Sequence, residues 1–108
     1  MASNASYRKQ SATFNNSTYN FPAFQIDSQH NVFFFLKSSG TSIAGTFKIQ
    51  CSPDGVEWVD VTSATATISG SGNLYINVPY LAANIVRPVV ISSNTNALTA
   101  EVWGFAKQ

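Results

Sequence analysis

Few side chains in this sequence could do chemistry, and their spacing limits what that chemistry could be. His30 is the only histidine and Cys51 the only cysteine. A Cys-His nucleophile pair must sit within hydrogen-bond reach, and His30 stands in a polar run, Asp27-Ser-Gln-His-Asn31, that reads as a solvated turn. Cys51 falls in phase with Phe47 and Ile49, so it is expected to pack as a small apolar residue. A single cysteine forms no intramolecular disulfide. Asp54, Glu57 and Asp60 are the densest group of acids. A glycosidase opposes two carboxylates across a cleft, whereas these three would line one rim of a turn. Their spacing matches no calcium loop, and the chain lacks four zinc ligands of the usual kinds. No catalytic, cofactor-binding or metal-ligating residue is assigned, and the chain is read as a non-enzyme.

The acids belong to Gly45-Thr-Phe-Lys-Ile-Gln-Cys-Ser-Pro-Asp-Gly-Val-Glu-Trp-Val-Asp-Val61. Phe47, Ile49 and Cys51 alternate with Thr46, Lys48 and Gln50, the period of a half-buried strand. In Ser52-Pro-Asp-Gly55 the proline presets φ and the glycine accepts a positive one. An apolar strand then restarts near Trp58, so the hairpin spans about 45–51 and 57–62. Its Ser52-Pro-Asp-Gly-Val-Glu-Trp58 core resembles the Asp-box of sialidase propeller hairpins. It lacks one residue between Asp54 and Gly55, and it occurs once in a chain too short for a propeller. Trp58 is expected to pack over the turn. Trp58, Trp103 and the tyrosines could instead form a sugar-stacking platform, the alternative for a carbohydrate-binding module.

The elements around this hairpin read as short strands. Phe24 and Ile26 share one face, and Pro22 marks an edge or a bend. Val32-Phe-Phe-Phe-Leu36 is apolar on both faces, as in a central strand or one covered by another subunit. Ala64–Ile68 reads as a separate short strand, and Leu74, Ile76 and Val78 alternate with Tyr75 and Asn77 up to Pro79. Ile85–Ile91 is apolar on both faces, with Pro88 requiring a bulge or a free edge. Leu98, Ala100 and Val102 oppose Thr99, Glu101 and Trp103 on the closing strand. The pattern predicts an all-β fold: an antiparallel β-sandwich or small jelly roll of about seven or eight strands, with no helix of normal length. Residues 1–13 are polar and small and read as an extended N-terminal arm. Residues 14–108 form the single β-sandwich domain.

At 108 residues the chain makes one domain. Six Lys and Arg against five Asp and Glu leave a net charge of +1, and only 10% of residues are charged, against about 25% in typical domains. So little charge leaves the surface to be covered by Ser, Thr, Asn and Gln, as in a neutral monomer, or partly by neighbouring subunits. Scattered cations argue against a nucleic-acid partner, which needs clustered Lys and Arg. No apolar run is long enough to span a membrane, and no signal peptide is visible.

The hairpin segment, followed by Tyr80, Ile85-Val-Arg87-Pro-Val-Val-Ile and Leu98-Thr-Ala-Glu-Val-Trp-Gly, resembles the small β-sandwich virion proteins of tailed bacteriophages. Asn94-Thr-Asn-Ala97 departs from it where a glycine-containing turn is expected. The resemblance implies a virion structural protein, a capsid decoration (cement) protein, with neck, tail or fibre-base proteins as the alternative. It implies the major capsid protein or other virion proteins as partners. Apolar strands on both faces suggest a homo-oligomer, a trimer or similar ring. The expected interface residues are Tyr7, Arg8 and Lys9 of the arm, Phe14, and the outward aromatics Phe33, Phe35 and Trp103.

Overall fold

Alternating apolar side chains, read off the buried positions, set the architecture. A computed structural model describes residues 5–26 and 29–107, with the backbone alone for Gln29 and His30. The described residues form nine strands: β1 (Ala5–Phe14), β2 (Thr18–Asn20), β3 (Phe24–Gln25), β4 (Gln29–Ser39), β5 (Gly45–Ser52), β6 (Val59–Ile68), β7 (Gly72–Ala82), β8 (Ile85–Ser92) and β9 (Leu98–Lys107). One sheet has the order β1-β9-β4-β7, and the other β2-β8-β5-β6 with β3 also on β8. Every pairing is antiparallel. With β2 and β3 taken as one interrupted strand, the chain crosses between sheets at every step except β5–β6. That is the double Greek key of a jelly roll.

The core lies between the sheets. Val32, Phe34 and Leu36 of β4 and Leu98, Ala100 and Val102 of β9 meet Phe47 and Ile49 of β5 and Val86 and Val90 of β8. The molecule measures 45 × 25 × 22 Å, so its two ends and two outer faces are separate surfaces.

The β5–β6 hairpin forms as its sequence dictates. Ser52 Oγ accepts the Gly55 amide at 2.7 Å and donates to Asp54 Oδ1. Asp54 Oδ1 accepts the amides of Val56 at 2.8 Å and Glu57 at 3.0 Å. Gly55 supplies the positive φ of 83° that the turn needs. Pro88 also behaves as expected. Its carbonyl accepts Phe21 N at 3.0 Å, and a strand residue points its nitrogen and carbonyl to the same side. The missing donor therefore faces the gap between β2 and β3.

Four expectations need correction. Residues 5–13 are not an arm lying off the domain: they form edge strand β1, paired with β9 from Ala5↔Ala106 to Phe14↔Leu98. Residues 1–4 lie outside the described residues, as do Asp27 and Ser28 of the expected turn; that turn does not reach Asn31, because β4 begins at Gln29. The solvated state expected for the His30 side chain also lies outside them. Ala64–Ile68 is not separate; it continues β6 through Ser63 (φ 64°) and a shift in register against β5. Pro79 does not end its strand, since β7 is an edge strand and accommodates it beside a bulge where Tyr80 has φ 57°. The last turn does without glycine: the Asn94 and Asn96 amides both donate to Ser42 O, at 2.9 and 3.0 Å.

Candidate interaction surface

The outer face of the β1-β9-β4-β7 sheet follows from strand alternation. With Phe34, Leu36 and Val102 turned to the core, Phe33, Phe35, Trp103 and Phe105 must point outward. Register places Phe33 beside Phe105 and Phe35 beside Trp103. The Phe33 ring stacks on Phe105 (5.0 Å between centroids, 13° between planes) and on Tyr75 of β7 (5.6 Å, 19°). Phe35 lies 4.8 Å from Trp103. The in-register separations, Phe33–Phe105 and Phe35–Trp103, are close to the spacing between neighbouring strands, about 4.7–4.9 Å, whereas Tyr75 stands opposite Phe35 and reaches Phe33 diagonally. The Phe33 ladder therefore stands upright, face against face, with ring rims toward solvent. Aromatic rims are the electropositive part of the ring.

Cations add to that sign. Lys107 Nζ lies 4.8 Å from the Phe105 centroid and Lys9 Nζ 6.0 Å from that of Trp103. Lys37 continues the outward series of β4. Glu101 is the acid on this face among the described residues, and Lys9 pairs with it at 3.1 Å.

The structure brings together Lys9, Phe33, Phe35 and Trp103 of the expected interface. Arg8 is exposed in the bulge of β1 beside Lys9. Tyr7 is not an interface residue: its ring packs edge-on against Phe24 and Phe34 in the core, and its hydroxyl donates to Pro22 O at 2.6 Å. Burial, then the neighbouring Tyr19, hold its phenol above the usual tyrosine range. Phe14 is half-buried against the core and stacks on Tyr19, away from the outer aromatic face. Sequence reasoning missed Phe105 and Tyr75. Both were findable, because Phe105 is two residues past Trp103 on the same strand and Tyr75 alternates with Leu74 and Ile76.

The other sheet's outer surface is a closed polar chain. The Trp58 ring, expected over the turn, packs under the Arg87 guanidinium of β8, 4.0 Å away. Arg87 donates twice to Gln50 Oε1, and Gln50 Nε2 donates to Asp60 Oδ1 at 2.9 Å. Lys48 completes it at 3.1 Å from Asp60. Hydrogen bonds from Gln50, then Lys48, hold Asp60 below the ordinary carboxylate range. With Asp54 turned into its own turn and Asp60 paired, the three acids do not converge, and the described residues contain no metal-binding group of three or more.

At one end of the sandwich, Cys51, Pro53, Val59, Ala82, Ala83 and Asn84 line an open, largely apolar cleft of about 450 Å³. Asn84 Nδ2 donates to Pro53 O at 3.2 Å and ties its two walls together. Burial raises the Cys51 thiol above its usual range, the opposite of the shift that activates a cysteine nucleophile.

No family model matches this sequence, and no curated protein does. Among solved structures the fold is similar to that of PirA (TM-score 0.70, 12% identity, 89% of this chain and 92% of that one). It is similar to a protein of the disulfide-linked pili that form Bacillus endospore appendages (TM-score 0.66, 11% identity, 97% and 86%). It is also similar to TmCBM61, solved in complex with β-1,4-galactotriose (TM-score 0.51, 7% identity, 99% and 87%). At such identities the likeness shows the fold, an all-β sandwich, and nothing finer.

Proposed function

We propose that this chain is a non-enzymatic virion structural protein of a tailed bacteriophage: a capsid decoration protein that stabilises the head through subunit contacts. The observation that carries the reading is the aromatic face. Phe33, Phe35, Tyr75, Trp103 and Phe105 form an apolar platform on a domain with little charge elsewhere, the composition of a protein contact surface. Major capsid protein or another virion protein is the partner, and the chain works as a homo-oligomer in the virion. The described residues contain no helix long and apolar enough to cross a membrane.

The test is the position and copy number of the protein in intact particles, by electron cryomicroscopy and quantitative mass spectrometry. Density at fixed sites on the head lattice is expected. Density at the neck or tail would move the protein to that part of the virion, and absence from particles would sink the reading.

A carbohydrate-binding module is the second reading, favoured by Tyr75. This ring is 65% exposed on an edge strand, and its flank away from Phe33 is open to a sugar. Phe33 itself is covered on both faces, which removes the flat platform that sugar stacking needs. Glycan-array binding that is lost in Tyr75→Ala would favour this reading over assembly.

A further inference from the structure

Two surfaces of the molecule complement each other, yet they cannot meet within one chain. The first is the outer aromatic face, apolar and electropositive, with Lys37 and Lys107 beside the rings. The second is the end that holds the apolar cleft. There the turn Pro53–Glu57 carries two acids, Asp54 and Glu57, and no base. The same end exposes Val56 (75%), Val59 (61%) and Tyr80 (73%). Asp54 is committed to its own turn, so Glu57 is the acid available to a partner.

Tyr75 and the cleft-lining Ala82 lie on the same strand, β7. Seven residues at about 3.3 Å each separate them by roughly 23 Å. Tyr75 therefore cannot fill the cleft of its own chain. A cavity of about 150 Å³ accommodates a benzene ring, so this cleft has room for one aromatic side chain.

Resting on the assembly reading above, we infer that copies associate head to tail: the cleft end of one copy docks on the aromatic face of the next. Tyr75 enters the cleft, Val56 and Val59 cover neighbouring ring rims, and Glu57 meets Lys37 or Lys107. Such a contact joins two different patches, so it closes into a ring or continues as an open chain. A face-to-face dimer would instead set the lysines of one face against those of the other, which opposes association.

The experiment is sedimentation velocity on the full chain with exchanged charges. Wild type is expected to associate as concentration rises. Glu57→Lys and the double variant Lys37→Glu/Lys107→Glu should each associate at least about tenfold more weakly. An equimolar mixture of the two should regain association, because each contact between unlike variants then joins opposite charges. Tyr75→Ala should also weaken association. Circular dichroism melts check that each variant is folded, and all the substituted positions are at the surface.

A wild type that stays monomeric overturns the inference. So does unchanged association of Glu57→Lys, or a mixture no stronger than its parts. The two readings fail separately. A monomer that still occupies sites on particles leaves the decoration reading standing and removes this contact. A head-to-tail oligomer absent from particles does the reverse.

Discussion

Asp54 shows how much one side chain can do in a turn. Its carboxylate takes two backbone amides, from Glu57 and then Val56, and these bonds hold it below the ordinary carboxylate range. A depressed folded-state value means that the stabilisation is fully present above the unfolded value, about 3.9, and is lost as pH falls through the folded one. Asp54→Ala should therefore lower the urea midpoint at neutral pH. The gap from wild type should hold down to about pH 4 and shrink below it; a gap constant through pH 2 would contradict this account. Tyr7 separates packing from hydrogen bonding. Tyr7→Phe loses the bond to Pro22 O and should cost about 1 kcal/mol. Tyr7→Ala empties a core position and should cost about 3–5 kcal/mol. Urea titrations give both values. Tyr7→Phe should associate like wild type, because the ring faces inward.

At the scale of elements, the pairing of β4 with β9 builds both the core and the outer face. Gly104 lies opposite Phe34 in this pair, and a Cβ there would meet Phe33 O at 2.1 Å. The neighbour is backbone, so it cannot swing aside. Gly104→Ala should push β4 from β9 and destabilise by about 1–3 kcal/mol, read as a lower melting temperature. The stacked rings act across the same pair. Phe33→Ser removes two ring contacts, each worth about 0.5–1.5 kcal/mol beyond area burial. It should weaken association while the chain remains folded. The alternation behind these elements is plain in the sequence. The long runs of β6 and β7 are not, because Ser63 and Tyr80 take positive φ at bulges. No local rule assigns a bulge to such residues; the partner strand's register does.

For the whole molecule, the N-terminal segment changes meaning. As an arm it would be dispensable for folding. As β1 it covers the edge of β9 and delivers Tyr7 to the core. Deleting residues 5–13 should abolish cooperative thermal unfolding, and a truncated chain that melts like wild type would restore the arm. The sequence by itself determined the class of fold, the hairpin at Gly45–Val61 and an interruption of pairing at Pro88, which falls at the gap between β2 and β3. Those features rest on local periodicity, turn chemistry and the missing donor of proline. Only the tertiary structure decided that Tyr7 is core, that Arg87 pairs with Gln50 and Trp58, and that Phe33, Tyr75 and Phe105 form one ladder. Each of these joins residues distant in sequence, and a strand's partner is chosen by the pairing of sheets rather than by its own residues. A polar, serine-rich strand such as β1 carries almost no periodic signal. Its place was fixed by the exposed edge of β9 and by one tyrosine that fits between the sheets.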